Sequence, residues 1–260
     1  VSRAPRVLPN APLSMLSPSL PLGCLGRRTW LAGVAGAVLW PAHAAPAHAV
    51  PPPDATLHYT LRRGFFSGSG EMQWRRTGDA YDLKLTGDVA GFSVLTQRSV
   101  GHVDASGLVP DRFTDQRVRR AARVANFERD RKRVSFSSSP ETYPIVAGMQ
   151  DRLSWMIQLP ALAAADPGLR APSGRAAMFV VGARGDGEVW EFAFAGTEAV
   201  RTSAGPVQAA KFTRLPRKPD DSAVEVWLDP ARHSLPIVAR LGDSDGGDAL
   251  ELRLRELHLP

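Results

Sequence analysis

One cysteine, Cys24, occurs in 260 residues, and it lies in a segment expected to be cut away. Without it the remaining chain has no disulfide, no thiol nucleophile and no thiolate metal ligand. Aromatic residues make up only 7% of the chain. The apolar run Trp30–Trp40 has 11 residues, short of the ~20 that span a bilayer. Hydrophobic residues at 43% and charged residues at 22% are ordinary globular values, which excludes wholesale disorder. Residues 1–49 contain no Asp or Glu but four arginines (Arg3, Arg6, Arg27, Arg28). Without them, 28 Lys and Arg stand against 26 Asp and Glu. The formal charge of +6 therefore sits largely in the N-terminal segment, and a nucleic-acid partner, which would require basic excess on the folded domain, is not expected.

Arg27 and Arg28, the apolar run, Pro41 and the small-residue sites Ala42-His43-Ala44 and Ala47-His48-Ala49 follow the order of a secretory signal peptide. Cleavage is expected after Ala49, with Ala44 as the second choice, and Met15 is the expected start. Gly26-Arg27-Arg28-Thr29-Trp30-Leu31 also resembles a twin-arginine export signal, so Sec and twin-arginine routes both stand. Leu22-Gly23-Cys24 has lipobox letters but precedes the apolar run, which excludes it as one. The organisation read is a signal peptide over 1–49, a proline-rich linker over 50–56 and a β domain over 57–260. The expected localisation is periplasmic, with no transmembrane segment in the mature chain, which is expected to be a monomer.

Past the linker, apolar residues alternate with polar ones: Leu57, Tyr59 and Leu61; Met72 and Trp74; Tyr81, Leu83 and Leu85; Val134 and Phe136; Val224, Val226 and Leu228. Period two with one apolar face predicts antiparallel strands, with Trp227 and Asp229 on the wet face. Gly-containing segments such as Thr77-Gly78-Asp79 and Arg184-Gly185-Asp186-Gly187 supply the turns. Leu250, Leu252 and Leu254 share a parity that Leu257 and Leu259 reverse, which predicts a β-bulge near Arg255-Glu256. Met149, Leu153, Trp155, Met156, Ile157 and Leu159 recur at helical spacing and predict an amphipathic helix over Gln150–Leu159, resuming to Ala165 beyond Pro160. The fold class expected is mainly β: a single antiparallel, strongly curved sheet or open barrel of about a dozen strands, with one main helix packed on it.

Several stretches in this order resemble the exported bacterial family DUF3108, of unknown function. They include Tyr59-x-Leu61 leading to Trp74, Gly107-Leu108-x-Pro110-x-Arg112-Phe113, Gln150-Asp151-Arg152-Leu153-Ser154, and Glu225-Val226-Trp227-Leu228-x-Pro230 with Leu235-Pro236. The resemblance covers nearly all of 57–259; Pro160 and Asn126-Phe127-Glu128 depart from its pattern. It implies no activity and no functional residues. The strand-rich, single-helix layout is similar to the half-barrel of LolA/LolB-type lipoprotein carriers.

Candidate chemistry is sparse. His58, His102, His233 and His258 lack metal-ligand spacing, Asp243-x-Asp245-Gly246 lacks the oxygen ligands of a calcium loop, and neither serine of Ser67-Gly68-Ser69-Gly70 sits in a nucleophile elbow. No catalytic residue, cofactor or metal is expected, and an enzyme ranks behind two non-enzymatic readings. The candidate ligand or anchor cluster is Gln150, Asp151, Arg152, Ser154 and Trp155. There Asp151 suits a helix start and Arg152 can pair with a strand carboxylate. The candidate contact for an anionic surface is Arg117, Arg119, Arg120, Arg123, Arg131, Lys132 and Arg133. A solvated edge hairpin is the plainer account of that run. The leading function read is an envelope protein binding a lipid or other amphipathic ligand. The alternative is a structural or interaction protein acting through the arginine-rich hairpin, without a ligand cavity.

Overall fold

The computed structural model describes residues 49–203, 205–214, 221–242 and 248–260. Of the expected signal peptide, 1–49, only Ala49 is among them. The strands are β1 (Ala55–Arg63), β2 (Phe66–Thr77), β3 (Ala80–Val89), β4 (Phe92–Asp104), β5 (Gly107–Arg117), β6 (Arg123–Glu128), β7 (Arg133–Phe136) and β8 (Ser139–Pro144). After β9 (Gln150–Asp151) and the helix α1 (Trp155–Ala165) come β10 (Arg175–Val181), β11 (Gly187–Thr202), β12 (Gly205–Arg214), β13 (Val224–Asp229), β14 (Leu235–Leu241) and β15 (Leu250–His258).

All fifteen strands form one open sheet in the order β8-β7-β6-β5-β4-β3-β2-β1-β15-β14-β13-β12-β11-β10-β9. Two meanders thus leave the central β1–β15 pair in opposite directions, and α1 follows the edge strand β9 and precedes β10 in the chain. The count exceeds the dozen expected because the short strands carry almost no periodic signal. β8 (SPETYP) is mostly exposed, with Pro140 and Pro144 on a sheet edge where missing N–H groups do no harm. β9 has two residues and pairs with β10 in parallel, an exception to the antiparallel rule read from the sequence.

Inward parity holds where the alternation is clear. Leu57, Tyr59, Met72, Trp74, Leu83, Val134, Phe136 and Val226 enter one core. The bulge near Arg255 is present: Tyr59 faces Leu254 and His58 faces Glu256, leaving Arg255 as the extra residue. Trp227 and Asp229, expected on the wet face, are buried. Trp227 is covered on the outer face by cations from neighbouring strands, with Lys211 Nζ 4.6 Å and the Arg240 guanidinium 5.2 Å from its ring centre. Its indole N–H donates to Glu198 Oε2 at 2.7 Å. Asp229 instead accepts from the Ala231 N–H and so caps a short turn.

The helix begins five residues later than expected and is not amphipathic. Gln150 and Asp151 are drawn into β9, because pairing with Val180 and Val181 satisfies their backbone. From Trp155 to Ala161 every residue is buried, Gln158 and Pro160 included. A helix apolar all round belongs in an interior, and α1 packs against β5, β9, β10 and β14 rather than lying across an open face. It runs through Pro160, which forfeits one backbone hydrogen bond at a cost of ~3 kcal/mol; the fully buried surroundings hold the helix regardless. Asp166 ends it, and its side chain accepts the Gly168 N–H at 2.8 Å.

Candidate functional site

The residues Gln150, Asp151, Ser154 and Trp155 are brought together, and all are buried. Their polar atoms close a seam between the two meanders. β6 pairs with β5 only from Arg112 to Asp115, so the edge of Leu108 facing away from β4 has no strand beside it. Two glutamines take that place. The Leu108 N–H donates to Gln158 Oε1 at 2.7 Å, and the Leu108 carbonyl accepts from Gln150 Nε2 at 2.8 Å. Gln158 Nε2 also donates to the Ser106 carbonyl at 2.8 Å. The Gly107-Leu108 and Gln150-Asp151 motifs therefore meet physically. Gln158, overlooked in the sequence reading, had one signal: a polar residue in an otherwise apolar helix.

Asp151 organises the turn into α1. Its Oδ1 accepts the N–H groups of Leu153 and Ser154, both at 2.8 Å, and its own N–H donates to Ser154 Oγ. Its Oδ2 accepts from the Ser99 hydroxyl at 2.5 Å. With that proton committed, the Tyr81 hydroxyl donates to Ser99 Oγ at 2.9 Å. Burial raises Asp151 to a pKa of about 6 despite these donors, and burial with the nearby Asp151 charge raises Tyr81 well above its ordinary value. Trp155 stacks on Phe192 at 5.2 Å and donates its indole N–H to the Arg152 carbonyl, deep in the core.

Arg152 turns the other way. It pairs with Asp186 at 2.6 Å and approaches Glu188 at 3.6 Å, with its guanidinium over the Trp190 ring. Arg214, 2% exposed in its side chain, also lies over Trp190 and pairs with Asp221 and with Glu188 at 2.9 Å. Glu188 thus serves both guanidinium groups. Nothing in the spacing of Arg214 along the chain pointed to it; its partners come from other strands and loops.

A cavity of about 500 Å³ opens beside this group, lined by Gln97, Asp115, Arg117, Arg152, Asp186 and Glu188 among others. Gln97, Arg117, Arg152 and Ser222 also border an apolar recess of about 140 Å³, walled by Leu85, Leu95, Met156, Val224, Leu250 and Leu252. Polar mouth and apolar recess therefore lie side by side, with four lining residues in common.

The arginine run does not form one ridge. Arg117, Arg119, Arg120 and Arg123 surround the β5–β6 connection, whereas Arg131, Lys132 and Arg133 surround the β6–β7 turn at the other end of β6. The six residues of β6 separate the groups by ~20 Å. Arg117 pairs with Asp115, and Arg131 and Arg133 both pair with Glu128. Among the described residues no group of three or more His, Cys, Asp or Glu side chains is arranged to hold a metal ion, and no helix is long and apolar enough to cross a membrane.

Residues 54–254 match the family described as "Protein of unknown function (DUF3108)", and the chain belongs to it. No curated protein matches its sequence. Among solved structures it is similar to a beta-barrel-like protein of the domain of unknown function DUF1849 from Brucella abortus, with a TM-score of 0.50 at 13% identity, over 81% of this chain and 99% of that one. Weaker likeness extends to the MucA/MucB complex of Pseudomonas aeruginosa, with a TM-score of 0.36 at 14% identity, covering 79% of this chain and 51% of that one. A lipoprotein from Parabacteroides distasonis gives a TM-score of 0.31 at 10% identity, over 82% of this chain and 99% of that one. At these identities the likeness concerns the barrel-like fold alone.

Proposed function

We propose that this DUF3108 protein is a non-enzymatic, periplasmic binding protein for a small amphipathic molecule. The observation that carries the reading is the adjacency of the 500 Å³ polar cavity and the 140 Å³ apolar recess, which share four lining residues. The larger volume lies in the range of small-molecule sites. An apolar space near 150 Å³ accommodates a benzene-sized group, so the recess suits a short alkyl or single-ring tail rather than a full acyl chain. Arg117 and Arg152 stand where cavity and recess meet, positioned to donate to a head group that accepts hydrogen bonds. The periplasmic assignment rests on the order of charge, apolar run and small residues in the first 49 positions.

Native mass spectrometry of protein purified from the expressing cell, followed by extraction, tests this. A bound amphiphile is expected, and Leu95→Trp, which fills the recess, should abolish its retention while the protein stays folded. An empty wild-type protein that also ignores a panel of short-chain amphiphiles would reject the reading and favour an interaction protein with no ligand.

A further inference from the structure

We infer that the rim of the curved sheet bearing Phe65, Phe66 and Phe92 on neighbouring hairpin turns, beside Arg62, Arg119 and Arg120, docks on an anionic lipid surface. The inference stands independently of the ligand reading above.

The topology places these residues together. β1 to β6 are successive antiparallel neighbours, so the β1–β2 turn, the β3–β4 turn and the β5–β6 connection all fall at one end of the sheet. Gly68 confirms the proximity of the first two, since a Cβ there would stand 2.1 Å from the Asp88 carbonyl oxygen. The Val118 N–H donates to the Val94 carbonyl at 3.2 Å, which ties the third connection to the second. With strands ~4.8 Å apart, the three tips span ~20 Å of rim. Arg63 and Arg117 also border the apolar recess, so the recess lies toward this end.

Phe65, Phe66, Phe92 and Val118 are large apolar side chains left exposed, and Phe65 is 106% exposed. Water gains nothing from such an arrangement, and a folded monomer seldom concentrates exposed aromatics in one place. Ala90 and Gly91 both have positive φ, at 51° and 80°, which makes the β3–β4 turn tight and holds Phe92 at its end. The segments 62–66, 89–92 and 117–123 contain six arginines and no Asp or Glu. Arg117 is paired with Asp115, and the Asp248 carboxylate lies against Gly64. Arg62, Arg119, Arg120 and Arg123 form no ion pair with another described residue, and the first three are exposed.

Exposed arginines without carboxylate partners, combined with separated aromatic tips, fit a bilayer interface better than a protein groove. Phosphate headgroups neutralise arginines without needing a matched carboxylate at each position, and rings on separate turns can each insert to the acyl boundary. A protein partner would be met more efficiently by a contiguous apolar patch.

Flotation of the full chain with vesicles tests the inference, using phosphatidylcholine alone and phosphatidylcholine with about 30% phosphatidylglycerol. Wild type should partition to the anionic vesicles and be released as salt rises. Phe65→Ser with Phe66→Ser and Phe92→Ser should lower partitioning at least tenfold. Arg119→Glu with Arg120→Glu should also lower it at least tenfold, at about fivefold per arginine lost. Arg131→Glu with Lys132→Glu, at the opposite end of β6, should leave it unchanged. Far-UV circular dichroism of each variant should match wild type, because the altered side chains are exposed. A wild type that ignores anionic vesicles, or rim variants that float as well as wild type, would overturn the inference. A rim variant that leaves vesicles but still retains its small amphiphile separates docking from ligand binding.

Discussion

Gly107 lies directly against the carboxamide of Gln158: a Cβ added there would stand 2.3 Å from Gln158 Oε1, at a backbone φ of +105°. Any side chain at 107 must therefore accept a strained φ and push the carboxamide off the backbone of Leu108. Gly107→Ala should cost about 2–4 kcal/mol, combining positive-φ strain with a lost buried hydrogen bond. Gln158→Ala should cost about 1–3 kcal/mol by leaving the Leu108 N–H and the Ser106 carbonyl unsatisfied. Because the second change removes the atoms that the first would strike, the double variant should be more stable than the sum predicts by at least about 1 kcal/mol. Urea titrations of the four proteins measure this, and simple additivity would refute the contact.

Asp151 gives the protein a pH dependence opposite to that of a salt-bridged carboxylate. Its pKa stands at about 6 against an ordinary value of 3.8, because burial disfavours the charge. The folded state keeps this proton where the unfolded chain has released it. The group's stabilising contribution is thus full below about pH 4 and is lost as pH rises through 6, with a magnitude of about 3 kcal/mol. Asp151→Asn retains an acceptor for the N–H groups of Leu153 and Ser154 and cannot ionise. Relative to wild type, it should become more favourable by about that amount between pH 4 and pH 7. A constant difference between the two proteins across this range, read by urea midpoints, would show that the Asp151 charge does not matter.

Arg214 is the most deeply buried cation among the described residues, held by Asp221 and Glu188 over Trp190. Arg214→Met removes the guanidinium that Asp221 and Glu188 share in the interior, with an expected loss of about 3–5 kcal/mol. Arg214→Met with Asp221→Asn should recover part of it. A loss below about 1 kcal/mol in thermal or chemical denaturation would show that water already reaches Asp221.

Arg152 differs from Arg214 in exposure. Its side chain is 27% exposed and that of Asp186 is 42% exposed. A pair as deeply buried as that of Arg214 would lose about 3–5 kcal/mol on truncation; the wet partner reduces the loss from Arg152→Ala to about 1 kcal/mol or less. The same variant should weaken amphiphile binding at least fivefold, since Arg152 borders both cavity and recess. Calorimetry with a short-chain amphiphile, set beside urea titration, separates the two effects; unchanged affinity would remove Arg152 from the ligand site.

The local alternation of apolar residues was enough to mark β1, β2, β3, β7, β13 and β15, including the bulge at Arg255, because strand parity is a property of adjacent residues. Family resemblance likewise marked Gly107-Leu108 and Gln150-Asp151 as distinctive stretches. Their meeting could not be read locally: Leu108 and Gln150 lie 42 positions apart, and their hydrogen bond exists only because β6 stops short of Leu108 and β9 brings Gln150 to the vacant edge. The same holds for burial on the outer face. Trp227 has wet-face parity, and only the approach of Lys211 and Arg240 from neighbouring strands covers its ring. Sequence also displayed the basic residues as one run, whereas the six residues of β6 carry three of the seven to the far end of the sheet. Parity and turn chemistry act over a few residues; edge satisfaction, cation cover and the assembly of a rim depend on which strands become neighbours, and the tertiary fold alone decides that.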